Sequence, residues 1–120
     1  MGQSHRELIA WQKAMDFVMC VYRTTKTFPR DETYALAGQL RRAAVAVPTN
    51  IAEGQARFSP NEFYFFLGRA RESLVEVETQ LMIAQNLSYF TPEHGKHLVE
   101  RAAELGKILN GLMSAIRPAA

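Results

Sequence analysis

The stretch Gln39-Leu40-Arg41-Arg42-Ala43-Ala44-Val45-Ala46-Val47-Pro48-Thr49-Asn50-Ile51-Ala52-Glu53-Gly54 reads as a helix with a proline in its middle. Leu36, Leu40, Ala43, Ala44 and Val47 recur at steps of three and four, and Ile51 continues the line past Pro48. A proline at that point removes one backbone donor, and its ring crowds the carbonyl of Ala44, at a cost of roughly 3 kcal/mol. Such a residue persists where packing over-determines the helix or a bend is useful. We expect one continuous helix kinked at Pro48. The alternative is a stop near Val47 and a restart at Asn50, because Asn50 and Glu53 have the spacing of a capping box. The small residues Ala43 to Ala46 allow a neighbouring helix to come close.

Outward from this stretch, the same periodicity recurs three times. Upstream, Ser4 and Glu7 form a candidate capping box for a helix over 7–27. Leu8, Trp11, Met15, Val18, Tyr22 and Thr25 make its seam, widened by Ala14, Val21 and Phe28. Phe28-Pro29 ends it, since the residue before a proline is pushed out of helical geometry. The central helix then runs from about 31–33 to 56, with Gly54 loosening its last turns. Downstream, Ser59-Pro60 and Glu62 open a third helix of about 28 residues, on the order of 42 Å. Its core line is Phe63, Leu67, Ala70, Leu74, Val77, Leu81 and Ala84. Thr91-Pro92-Glu93 opens a fourth, with Leu98, Ala102, Leu105, Leu109, Leu112 and Ile116 inside. Arg117-Pro118 closes it, and Ala119-Ala120 should fray. Nothing alternates as a strand does. The fold class is all-α, an up-down-up-down four-helix bundle forming a single domain over 1–120.

The third helix is too apolar for a monomer. Phe63-Tyr64-Phe65-Phe66-Leu67 surrounds its circumference, while a core accepts one stripe. A second stripe, with Phe65, Gly68, Val75 and Met82, is the mark of a subunit interface, for which Tyr64, Phe65, Val75 and Met82 are the candidates. The competing reading lays some of these rings beneath the loop that carries Phe58.

Catalytic chemistry finds little support. A di-iron bundle needs Glu-x-x-His pairs, and none of His5, His94 and His97 lies three residues after a glutamate. Cys20, the single cysteine, forms no internal disulfide and falls in an apolar helical run, as a small buried hydrophobe would. The glycines are too scattered for a phosphate loop. Glu72, Glu76 and Glu78 are expected to pair with Arg69, Arg71, Arg41 or Arg42. We therefore expect no enzyme, no metal and no cofactor. With no leader-like segment and no apolar run of membrane-spanning length, the expected setting is the cytoplasm.

Charge leaves one functional class open. The net charge is only +2, so a nucleic-acid partner requires clustering. Residues 1–60 hold eight Lys/Arg against five Asp/Glu, and residues 61–120 hold six against seven. Arg41 and Arg42 are adjacent and point about 100° apart, so one is free to be structural while the other is exposed. Arg23, Lys26 and Arg57, with Arg30, flank helix ends and complete a candidate phosphate-reading set.

Several segments resemble one family. Trp11-Gln12-Lys13-Ala14-Met15-Asp16, Val21-Tyr22 and Phe28-Pro29 look like the first helix of the four-helix-bundle proteins encoded in 23S rRNA intervening sequences. Gln39–Ala44 and Val47–Gly54 match more specifically, and Glu62-Phe63 and Glu76-Val77-Glu78-Thr79-Gln80-Leu81 continue the likeness. It covers about residues 8–90; the fourth helix is similar only in pattern. The resemblance implies a bundle assembled into a ring, commonly a homopentamer. The chain is also similar to the accessory variability determinant of diversity-generating retroelements, a pentameric barrel that binds nucleic acid and the reverse transcriptase. That implies RNA or DNA binding by a basic surface. A charge of +2 is modest for such a ring, although five copies raise it to about +10. The function expected is a non-enzymatic cyclic oligomer that binds structured RNA or other nucleic acid. The alternative is a protein–protein adaptor ring.

Overall fold

The computed structural model describes residues 4–117, and among these there is no strand. Four helices follow in order: α1 (Ile9–Thr25), α2 (Leu36–Gln55), α3 (Pro60–Asn86) and α4 (Pro92–Ile116). Each packs against its neighbours in sequence, and α1 also packs against α4, closing a four-helix bundle 46 Å long. α4 ends at Ile116 with Arg117 as its C-cap, where the sequence placed its end, and the fraying expected of Ala119-Ala120 lies outside the described residues.

Two helix starts follow the sequence reading. The Ser59 hydroxyl accepts from Glu62 N at 3.3 Å and Thr91 from His94 N at 3.2 Å, each with proline as the first helical residue. The other two differ. Ser4 caps a 3-10 turn, His5–Glu7, by accepting from Arg6 N, and Leu8 is extended, so α1 begins at Ile9. Leu8 leaves the helix to pack partly buried against the core. Before α2, a second 3-10 turn (Arg30–Glu32) takes up the residues expected to start the helix. The Glu32 carboxylate accepts from Leu36 N at 3.2 Å and does the work of an N-cap from outside the helix.

α2 passes through Pro48 without interruption, which removes the stop-and-restart alternative. Asn50 is inside the helix, its amide donating to Ala46 O at 2.8 Å, and Thr49 donates to Val45 O at the same distance. Gly54 does not loosen the helix end; it lets α3 in. A Cβ there would stand 2.8 Å from Phe66 Cβ and 3.0 Å from Phe63 Cδ1. Phe58, in the α2–α3 loop, has φ 56° and is 77 % exposed, and it lines an open hollow with Gly54, Phe63 and Ile116.

The core of α3 and α4 is close to the expected lines, with Leu67, Ala70, Leu74, Val77, Leu81 and Ala84 facing Leu98, Ala102, Leu105 and Leu109. Leu112 and Ile116 are only half-buried. The seam of α1 is rotated by one step. Ala10, Ala14, Phe17, Val21 and Thr24 face inward, whereas Met15 and Tyr22 are 38 % and 37 % exposed. Cys20 is half-buried at the core's edge. The displaced stripe stands beside α2, where Trp11, Met15 and Val18 line an open apolar groove with Val45, Pro48 and Ala52.

Candidate nucleic-acid interface

The end of α1 and the start of α2 meet at one end of the bundle, beside the α3–α4 loop. The contact is fixed by Tyr89, whose phenol donates to Glu32 Oε2 at 2.6 Å and whose ring lies 5.1 Å from that of Phe28. That hydrogen bond, followed by burial and the negative charges of Glu32 and Asp31, pushes the Tyr89 pKa from 10.0 up to about 12. A phenol proton held more tightly in the folded chain gives stability that is full below the ordinary value and lost as pH rises through about 12. An absorbance titration should therefore show a tyrosine ionising near pH 12, a step that Tyr89→Phe removes.

Arg23 and Lys26 at the end of α1, Arg30 in the turn and Arg42 in the second turn of α2 are all exposed. Among the described residues none of the four has a carboxylate within 4.0 Å; the ion pairs are Lys13–Glu104 and Arg57–Glu62. Glu32 at this junction is occupied by Leu36 N and Tyr89, and the exposed Asp31 beside it is more than 4.0 Å from each of the four. The closest polar partner of Arg23 is Cys20 Sγ at 3.9 Å, a weak contact. Tyr34 projects from the link between the turn and α2 with 95 % of its surface exposed. An exposed aromatic ring stacks on an unpaired base, and unpaired cations attract its phosphates.

Arg41 is held within the fold. Its Nε donates to Thr25 Oγ1 at 2.7 Å, and its guanidinium lies 4.8 Å from the centroid of the Tyr22 ring. Thr25 in turn donates to Val21 O at 2.8 Å, so Arg41 ties α2 to the last turn of α1 through a relay of hydroxyl and carbonyl. Its partner is a hydroxyl and a ring rather than the expected carboxylate. Neither Arg69 nor Arg71 pairs with a glutamate: Arg71 donates to Asn110 Oδ1 at 3.1 Å, and Arg69 lies 5.9 Å over Phe65.

Arg57 is at the opposite end. It follows the C-cap Ala56, and the helix from Arg41 to Gln55 alone spans about 21 Å at a helical rise. There it stands 3.7 Å from Glu62 Oε1 and lies over the Phe66 ring at 4.9 Å. Arg23 and Lys26 at the end of α1, and Arg42 with half-buried Arg41 in the first half of α2, belong to the two elements that meet at this end, whereas Arg57 is at the other end of the bundle. Arg30 and Tyr34 join the group. Tyr34 was invisible to the sequence reading because it fits no apolar spacing, and that misfit was itself the available signal.

On the adjacent side, Arg23, Thr24, Thr27, Tyr89, Phe90, Thr91 and His94 line an open cavity of about 540 Å³. His94 Nε2 is 2.7 Å from Thr24 Oγ1, and His97 Nε2 accepts from Arg101 Nε at 3.0 Å. Among the described residues no group of three or more His, Cys, Asp or Glu side chains is placed to hold a metal, and no helix is long and apolar enough to cross a membrane.

The interface candidates on α3 are exposed in three cases of four. Phe65, Val75 and Met82 are 58 %, 55 % and 64 % exposed, while Tyr64 is half-buried against the core. Phe65 packs edge-on against Phe66 at 5.5 Å.

The fold is similar to a crystal structure from Bacteroides thetaiotaomicron VPI-5482, a protein with unknown function from the S23 ribosomal protein family. The TM-score is 0.82 at 18% identity, covering 93% of this chain and 99% of that one. No curated protein is significantly similar in sequence. The family model described as 23S rRNA-intervening sequence protein matches residues 6–111, which takes in most of α4 as well as the segments whose likeness was plain from the sequence. The chain belongs to the 23S rRNA-intervening sequence protein family.

Proposed function

We propose that this protein is a non-catalytic, cytoplasmic RNA-binding oligomer, a homopentameric ring, that holds structured RNA at the Arg23–Arg42 end of each bundle. The observation that carries this reading is the set of four exposed cations without carboxylate partners on the elements that meet at this end, together with the almost fully exposed Tyr34 of the link into α2. Cations held in this way attract phosphate with little desolvation, and the salt dependence of binding counts them. The family's description links its members to 23S rRNA, which makes RNA the first ligand to test.

The test is binding of a labelled structured RNA and an equal-length DNA duplex across a salt series. Arg42→Ala should weaken RNA binding at every sequence and flatten the log–log salt slope by about one. Tyr34→Ala should cost about tenfold on RNAs with unpaired loops, within the range of lost base stacking, and leave the salt slope unchanged. Arg57→Ala, at the far end, should bind as the wild type does. Absence of binding at low salt by an intact assembly would end the RNA reading and leave the adaptor ring in its place.

A further inference from the structure

The cavity between the end of α1, the α3–α4 loop and the first turn of α4 differs in charge from the other hollows. Asp16 and Glu104 stand with Lys13 and Arg101 in one, Glu53 lines the α1/α2 groove, and Glu72 stands with Arg69 and Arg71 in a third. The hollow lined by Gly54, Phe58 and Ile116 carries no charged residue. The lining of this cavity, about 540 Å³, holds Arg23 and His94 and, among the described residues, no carboxylate. A cation without an anion favours an anionic guest. The Arg23 guanidinium is available for one, since its closest polar partner is Cys20 Sγ at 3.9 Å.

The remaining lining is aromatic and hydroxylic, and it is built in advance. Buried Phe28 anchors the wall, its ring 5.1 Å from that of Tyr89 and 6.4 Å from that of Phe90. Phe90 meets the His94 ring edge-on at 5.8 Å, and His94 Nε2 is 2.7 Å from the oxygen of buried Thr24. Gly95 makes room for this arrangement, because a Cβ there would stand 2.9 Å from Phe90 Cε1. The Tyr89 phenol is committed to Glu32, which fixes its ring. Tyr89 and Phe90 are only half-buried, so both keep ring surface open. A wall already in place receives a flat group with little ordering cost.

These features restrict the occupant. It carries an anionic group for one guanidinium and a flat ring for the aromatic wall, and it has the size of a small organic ligand, for which pockets run about 300–1,000 Å³. A nucleotide has all three, a base that stacks on aromatic side chains and a phosphate that pairs with arginine. We propose that this cavity receives one unpaired nucleotide of the bound RNA, its base against Phe90 and its phosphate on Arg23. The inference rests on the RNA reading above and adds the feature recognised, a base free to leave the helix. Arg23 links the two, as a member of the unpaired cation set and of the cavity lining.

The test uses the full chain and two hairpin RNAs that differ only at one bulged residue, adenosine in one and abasic in the other. Their phosphates are the same, so a difference in affinity reports the base. The wild type should bind the adenosine bulge about tenfold more tightly. Thr27→Trp adds an indole to the lining at an exposed position, and Phe90→Leu removes the stacking ring. Each should bring the adenosine bulge to the abasic affinity and leave the abasic affinity unchanged, whereas Arg42→Ala should weaken both RNAs equally. Adenosine monophosphate should compete only weakly. Equal binding of the two RNAs by the wild type overturns the cavity assignment and leaves the RNA reading standing. A base preference that survives Thr27→Trp does the same, and its loss in Tyr34→Ala would move the base to Tyr34. Tight binding of adenosine monophosphate that Thr27→Trp abolishes, with no preference between the RNAs, makes a free nucleotide the occupant and overturns the RNA source. Binding of neither RNA at low salt overturns the RNA reading and this inference together.

Discussion

Replacing Lys26 and Arg42 together by glutamate should reduce affinity for structured RNA on the order of a hundredfold or more at moderate salt, because two attractions become repulsions of several kcal/mol in total. Both side chains are exposed and neither has a carboxylate partner among the described residues, so the fold loses nothing with them. Helical circular dichroism and thermal midpoint should be unchanged. Arg41→Ala is the necessary contrast. It removes the donor to Thr25 and the cation over Tyr22, so it should lower stability by about 1–2 kcal/mol and disturb RNA binding only through the fold. If the Lys26/Arg42 variant binds RNA as the wild type does, the basic end is not the contact. If Arg41→Ala alone abolishes binding with stability intact, Arg41 reads phosphate after all.

Gly54→Leu should be the most damaging single change in the bundle, costing about 3 kcal/mol or more, at the upper end of overpacking. The reason is local geometry. A Cβ at Gly54 already stands 2.8 Å from Phe66 Cβ, an atom one bond from the backbone that cannot swing away, and 3.0 Å from Phe63 Cδ1. The α2–α3 contact must open to admit a larger group. Gly54→Ala is the graded control: it gains about 1 kcal/mol of helix propensity and meets the same obstacle, so its net cost should be smaller. Urea unfolding checks both. A leucine variant as stable as the wild type would mean that α3 shifts freely, which the buried Ile51 and Leu67 beside it oppose.

How far the sequence could be read depends on the range of the physics. Helix existence was legible because its hydrogen bonds are local and its apolar period repeats within each segment. Ser59-Pro60 and Thr91-Pro92 named their own boundaries, since a cap and its first turn lie within four residues. The same logic misled at Ser4, where a local cap was satisfied by a 3-10 turn that the position of Leu8 made necessary. It also misled at Asn50, whose capping spacing coexists with a helix held by packing on both sides of Pro48.

The candidate site shows the division more sharply. Adjacent Arg41 and Arg42 were certain to point apart, and the chain alone could say that much. Which of them is structural was decided by Thr25 and Tyr22, sixteen and nineteen residues earlier, and by the crossing of α1 and α2. That Arg57 stands apart from Arg23 and Lys26 follows from its place at the other end of a 20-residue helix. The sequence by itself determined four amphipathic helices, a surplus of apolar surface and a supply of cations. Only the tertiary structure decided which stripe of α1 faces inward, where the surplus stays exposed, and which cations go unpaired. Those are cross-helix facts, set when each helix turns to bury the larger of its apolar faces against its neighbours.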